Sequence, residues 1–508
     1  MTTPPTLRQS MAWLHTWGGI AACWMLFAIF LTGTICVFEE PITRWMKPER
    51  SERLARVGTV DPARAVGLAQ RDLERTAPRS DFWSIGLPNA FDPDVRIYWD
   101  EAGKRQGARL DPQSGARLPA SADRSTEGGY HFITMHHELH AGTIGSWIVG
   151  FFVVGMLAAL VSGVIVHKRI FKDIFTFRPG RGQRAWLDGH NVAGVLTLPF
   201  QAMIAYTGLT LAYSLYMPAA IAAHYPSADA YFADLLNEPP HGEETQIAAP
   251  VVALQRLVPV AEARLGQQVS LVYVEHPGDS SASAELYGPE PAELNRLAPA
   301  RGSVHFAGVS GALLDVRLPE APRGGAAQQV QDVLSALHMA SFGGLAVKWL
   351  YFLCGLAGTA MIGSGAILFM VKRRRTSLHE FGAWTPRIYR LIDAVNVAAM
   401  AGLAIACIGY FWANRLIPVA LEQRAAWEIR AFFAIWLATL AHAALRPARA
   451  AWIEQLAALA LLCLALPLLG GAQSMLRGDW AGAGVEAVAL IVAAVAGWSA
   501  LRLKHAAR

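Results

Sequence analysis

The chain is poor in charge and in paired cysteine. Only 16% of its 508 residues are Asp, Glu, Lys or Arg, against 53% hydrophobic. That balance excludes a purely soluble globular protein and indicates an integral membrane protein carrying some soluble mass. The five cysteines (Cys23, Cys36, Cys354, Cys407 and Cys463) stand singly within apolar runs, and no C-x-x-C or C-x-x-C-H occurs. A disulfide framework, a zinc ribbon and covalent c-type haem therefore lack their usual signatures. No Gly-rich dinucleotide fingerprint opens a βαβ unit, so flavin or NAD(P)H chemistry must sit on another protein. H-E-x-x-H and an obvious Ser-His-Asp set are missing too.

Long apolar runs are abundant. Stretches long enough to cross a bilayer lie at roughly 12–38, 142–166, 191–216, 345–371, 391–413, 428–446, 451–470 and 482–502, which predicts eight spans. The first is too long for a signal-peptide core and lacks a small-residue cleavage site, so it reads as a retained anchor. "HKRIFKDIFTFRPGRGQRAW" after the second span and "VKRRRTSLHEFGAWTPRIYR" after the fourth each hold six Lys/Arg. With "RPARA" and "RLKHAAR" they share one side if both termini are cytoplasmic. The net charge of +5 thus reports topology, not nucleic-acid binding. In a bacterial inner membrane, segments 39–135 and 217–335 then face the periplasm.

The first four spans repeat themselves. "LHTWGGIAACWMLFAIFLTG" answers to "GHNVAGVLTLPFQAMIAYTG": sixteen residues separate His15 from Thr32-Gly33, and sixteen separate His190 from Thr207-Gly208. "LHAGTIGSWIVGFFVVGMLAALVSG" answers to "LHMASFGGLAVKWLYFLCGLAGTAMIGSG", with His140 and His338 each five residues before a glycine. Trp147 and Trp349 precede Ser162-Gly163 and Ser364-Gly365 at equal spacing. The long segments match as well, each with a helix-like stretch followed by short alternating runs, which predicts two small α+β modules.

A parallel repeat implies a pseudo-two-fold axis along the membrane normal. Under it His15 faces His190 near the cytoplasmic side and His140 faces His338 near the periplasmic side. Two opposed neutral imidazoles in a helix bundle are what a six-coordinate haem iron needs. The expectation is two non-covalent b-type haems, ligated by His15 with His190 and by His140 with His338. The fourth span carries one extra turn, so His136 matches His338 in distance to the Ser-Gly pair and stands as the alternative to His140. His167 closes the second span roughly 40 Å from His140. It could replace His15 opposite His190, or bind a propionate among Lys168, Arg169 and Lys172. Gly18, Gly19, Gly142, Gly145, Gly194, Gly343 and Gly344 lie near these histidines, where small residues let a macrocycle approach the backbone. His131 and His137 read as periplasmic surface residues. His379, His442 and His505 lack symmetric partners and read as structural or solvated.

"LHTWGG…LTG" with "VFEEPITRWMKPE", "LHAGTIGSWIVG…SGVIVHKRIFKDIFTFRPGRGQRAWLDGHN" and "LHMASFGG…KRRR" resemble the PepSY-associated transmembrane proteins, which include bacterial ferrisiderophore reductases. The resemblance covers roughly residues 10–380. It implies an all-α membrane bundle whose first four helices form a repeated haem-binding core, with two periplasmic PepSY-like α+β modules. The implied division is 1–38 (first span), 39–135 (module), 136–216 (spans two and three), 217–335 (module), 336–380 (span four) and 381–508 (a four-helix extension). The function it implies is electron transfer from the cytoplasmic side to a periplasmic ferric siderophore or other ferric chelate. A flavin or NAD(P)H reductase, or quinol, would be the donor. Two other readings compete. One is a regulator whose modules bind peptides or peptidases. The other is a haem or iron permease, disfavoured because no span centre carries an acid or base; Glu428 and Glu486 read as capping or snorkelling groups near helix ends.

Overall fold

The computed structural model describes residues 5–119, 122–167, 183–236, 244–289, 301–319, 325–377, 379–470 and 480–505. The basic loop after the second span, with Lys168, Arg169 and Lys172, lies outside them. The chain forms two compact units. The first comprises residues 1–47, 124–209 and 348–508, the second 48–123 and 210–347.

The first unit is helical. Among the described residues seven helices are long and apolar enough to cross a membrane: Leu7–Cys36, Gly142–Val166, Gly344–Arg374, Gly382–Leu416, Arg424–Leu445, Ala448–Leu469 and Gly482–His505. The expected third span is a pair, Gln183–Leu196 and Leu198–Leu211, bent by 63°. Pro199 explains the bend, because its ring excludes the carbonyl of Val195 and it has no N–H to donate. Thr6 opens the first span with a capping box in which its side chain and that of Gln9 satisfy each other's backbone N–H groups. Span four passes very close to span one: a Cβ on Gly355 would come within 2.5 Å of Thr34 Oγ1. Small residues are what allow such an approach.

The C-terminal helices pack on the same unit. Trp24 Nε1 donates to Asn396 Oδ1 at 2.7 Å, and Trp45 Nε1 donates to Glu486 Oε1 at 2.9 Å. Glu428 is fully buried against Arg424. Glu428 and Glu486 are therefore partnered inside the protein, and the expectation of snorkelling is corrected. Apolar hydrocarbon outside offers a carboxylate nothing, whereas these internal donors do.

The second unit is built around one antiparallel sheet of seven strands in the order β3-β2-β1-β4-β5-β6-β7. β1 (Phe82–Gly86), β2 (Val95–Glu101) and β3 (Lys104–Leu110) come from the first long segment; β4 (Leu271–Glu275), β5 (Ser283–Tyr287), β6 (Ser303–Ala307) and β7 (Leu313–Arg317) come from the second. The two expected modules are thus joined edge to edge, with Trp83 opposite Val274 and Ile85 opposite Val272. An exposed strand edge is a liability that such pairing removes. β2 alternates buried Val95, Ile97 and Trp99 with half-buried Arg96, Tyr98 and Asp100, and its turn to β3 places Ala102 and Gly103 at φ 54° and 73°. Positive φ at both residues is what a two-residue hairpin of matching twist requires.

Helix Pro62–Thr76, capped by Asp61, and helix Leu257–Leu265 cover the sheet through Val66, Leu73, Val258 and Leu265. Gln70 ties the halves together, donating to Val252 O at 3.0 Å and accepting from Leu254 N at 2.8 Å.

Candidate functional site

His15 lies on the first span and His190 on the first half of the bent third span. Their ring centres are 6.3 Å apart, with planes at 72°. His15 Nδ1 lies 3.0 Å from Ala159 O and 3.2 Å from Ser162 Oγ on span two. His190 Nδ1 lies 2.9 Å from Met361 O and 3.4 Å from Ser364 Oγ on span four. A carbonyl can only accept, so in both rings Nδ1 carries the proton and Nε2 keeps its lone pair. That tautomer is the one in which a second group orients a metal-ligating imidazole.

Glycine completes each seat. A Cβ on Gly163 would stand 3.1 Å from His15 Cε1, and one on Gly365 would stand 3.1 Å from His190 Cε1. Each ring therefore rests on a carbonyl at position i, a hydroxyl at i+3 and a glycine at i+4 of the neighbouring helix. The two seats repeat one another. A third copy exists: His136 Nδ1 lies 2.8 Å from Ile29 O, Thr32 stands at i+3, and a Cβ on Gly33 would reach 2.6 Å from the ring. The same triplet recurs at Ile204, Thr207 and Gly208, where Thr207 Oγ1 donates to Ile204 O at 3.3 Å.

A cavity of about 300 Å³ lies between the His15 and His190 seats, walled by apolar groups such as Ile20, Met156, Leu160, Ile362 and Phe369. Lys372 and Arg373 line it as well. His167 reaches the same cavity, with its Nε2 3.0 Å from Asn191 Nδ2 and its buried Nδ1 without a partner among the described residues. An apolar chamber lined by two imidazoles and by cations suits a flat, hydrophobic, anionic ligand. First-row metals hold an imidazole nitrogen at about 2.0–2.1 Å, which sets two opposed ring centres roughly 6 Å apart. The observed separation fits.

His140 is held differently from His136. Its Nε2 lies 2.8 Å from His131 Nδ1, and the two rings stack at 4.9 Å. Leu139 and His140 both take φ of 54°, a left-handed turn that folds the ring back onto His131. His131 is fully buried, with Tyr410 stacked at 4.3 Å and Phe432 edge-on at 4.6 Å. Burial, with His140 adding to it, pushes the His131 imidazole down to about 3 and keeps it neutral. The expectation of a surface histidine is corrected here, since the aromatic wall comes from helices far along the chain. His137 is half-exposed beside Glu138, as a surface residue would be. His338 sits half-buried on helix Ala326–Met339 of the second unit.

Of the glycines singled out by sequence, Gly19 and Gly194 line the cavity. Gly142, Gly343 and Gly344 instead supply positive φ at the starts of spans two and four, and a Cβ on Gly145 would collide with Glu138 O. The glycines that seat the rings are Gly33, Gly163 and Gly365. Their signal was present in the Thr-Gly and Ser-Gly pairs that mark the repeat.

Residues 12–372 match the family described as the PepSY-associated TM region. The chain belongs to the PepSY-associated TM family. A relative, the uncharacterized protein PA4219 of Pseudomonas aeruginosa, is 26% identical over 395 residues, covering 74% of this chain and 93% of its own. The family match spans the repeated core and ends at Lys372, so most of the C-terminal helices fall outside it. The chain is a multi-pass membrane protein of this PepSY-associated family.

Proposed function

We propose that this protein is a di-haem electron-transfer protein of the bacterial inner membrane. It would pass electrons from the cytoplasmic side to a periplasmic ferric siderophore or other ferric chelate. The observation that carries the reading is the paired seat of His15 and His190, each with Nδ1 spent on a carbonyl and Nε2 left for a metal. His15 and His190 would hold one b-type haem, and Lys372, Arg373 and His167, which line the same cavity, would pair with its carboxylates. For the second haem the sequence repeat offers His338. The carbonyl–hydroxyl–glycine seat favours His136 over His140, whose Nε2 is engaged by His131.

Bound haem supplies a one-electron Fe(III)/Fe(II) couple. The chain's residues would orient the ligand nitrogens, exclude water through the apolar walls and offset the carboxylates. Reduction releases iron because hard oxygen donors hold Fe(II) far less firmly than Fe(III). A cytoplasmic flavin or NAD(P)H reductase, or the quinol pool, would supply the electrons.

The test is the haem content of the purified full-length protein. Two haems per chain, extractable by acid acetone, are expected, with low-spin reduced spectra. His190→Ala should remove one of them or render it five-coordinate while the other persists. A content near zero in the wild type ends the reading.

A further inference from the structure

The helices beyond residue 380 have no part in the reading so far. We propose that this extension is a clamp on helix Tyr130–His137, with Tyr410 as the positioning residue that fixes His136 for the second haem. The inference rests on the haem reading and concerns what the extension adds to it.

The clamp grips four of the residues that lead into the helix, Arg124, Ser125, Thr126 and Gly128. Arg424 Nη1 donates to Ser125 O at 2.9 Å, and Tyr410 Oη donates to Gly128 O at 3.1 Å. Thr126 Oγ1 donates to Glu428, and Arg124 Nη1 donates to Asn414 O at 3.0 Å. Tyr410, Asn414, Arg424 and Glu428 are all at 0% exposure. Arg424 and Glu428 pair with each other, and Asn414 Nδ2 donates to Glu428 Oε1 at 2.9 Å. A fully buried ion pair adds little net stability, because desolvation offsets its attraction. Its better attested use is to fix one arrangement among several. Here the arrangement fixed is the entry of the chain into the histidine helix.

Rotation of that helix is fixed in its first turn, at His131. His131 is wedged between Tyr410, Phe432 and His140, so one face of the helix looks to the extension. At about 100° per residue, His136 lies roughly 140° round the helix from His131. There it meets span one at Ile29 O. Turning the helix by one residue would take both rings out of their seats. His131 also leaves its Nε2 buried without a partner among the described residues. An apolar ring would avoid that cost, but only an imidazole can hold His140 through Nδ1.

Tyr410→Leu and Tyr410→Phe in the full-length protein test the clamp, read by haem content and by the EPR signals of the oxidised low-spin irons. The haem of His15 and His190 serves as the internal control for folding. Tyr410→Leu is expected to lower occupancy of the second haem at least two-fold while the first stays at its wild-type level. Tyr410→Phe keeps the ring against His131 and should retain most of the second haem. Unchanged signals from both haems in Tyr410→Leu would overturn the clamp, and so would equal loss of both. His136→Ala separates this from the underlying reading. If that variant keeps two low-spin haems, the ligand assignment itself is wrong.

Discussion

At His15 and His190 the chemistry is set as much by what lies behind each ring as by the ring itself. Sequence spacing was enough to pair these two histidines, because identical intervals to Thr-Gly and Ser-Gly recur in both halves. The protonation of Nδ1 was not readable, since the accepting carbonyls of Ala159 and Met361 belong to other helices. Nor was the purpose of Gly163 and Gly365, which leave room for an imidazole at 3.1 Å from the absent Cβ. A methyl at either position forces its ring away by a few tenths of an ångström, a strain of about 1–3 kcal/mol. Gly163→Ala and Gly365→Ala should each weaken or broaden the low-spin signal of the haem proposed at His15 and His190. Gly155→Ala, on the same helix as Gly163 with nothing within 4 Å, should leave it unchanged. Equal spectra in all three variants would show that the glycines serve helix packing alone.

At the scale of elements, the strands and the helix Pro62–Thr76 were legible from alternation and from Asp61-Pro62 at a helix start. The joining of two modules into one sheet was not. β1 and β4 are far apart in sequence, and nothing local in "FWSIG" or "LVYVE" records which edge each will meet. The ion-pair network that closes the end of β2 and β3 was equally hidden. Arg50, Arg53 and Arg109 surround Asp92, Asp94 and Asp123, with Arg109 Nη2 2.7 Å from Asp92 Oδ1 and 2.5 Å from Asp94 Oδ2. Burial alone would raise the Asp92 carboxyl, yet Arg109, then Arg50 and Arg96, outweigh it and hold it below its ordinary 3.8. A carboxyl depressed in the folded state contributes stability above its unfolded value and loses it as pH falls through the folded one. The β2–β3 region should therefore loosen below about pH 4. Arg109→Met takes one cation from three buried carboxylates, leaving Arg50 and Arg53 to hold them, and should cost about 3 kcal/mol. Hydrogen exchange of the β2 and β3 amides in the full chain reads both effects. Protection unchanged in Arg109→Met would reduce the network to a surface ornament.

At the scale of the whole molecule, the sheet constrains the membrane topology more tightly than hydropathy does. β1 and β4 are hydrogen-bonded neighbours, so the segments that carry them must lie in one compartment. Between them the chain runs through span Gly142–Val166 and the bent pair Gln183–Leu211. Two points on the same side require an even number of crossings. With span two crossing once, the bent pair must cross once more despite its 63° kink. Eight crossings, with both termini on one side, are then expected. The basic residues after spans two and four would put that shared side in the cytoplasm by the positive-inside rule. The exposed turns at Gly103 and Ser310 should accordingly be periplasmic, and exposed Lys504 cytoplasmic. In intact spheroplasts of a strain making Gly103→Cys, Ser310→Cys or Lys504→Cys, a membrane-impermeant maleimide should label the first two at once. The third should react only after permeabilisation. Reversed labelling at all three positions would invert the molecule and place the His15–His190 site on the periplasmic side. Labelling of Gly103→Cys without Ser310→Cys would contradict the joined sheet itself, because no membrane can pass between two strands that share hydrogen bonds.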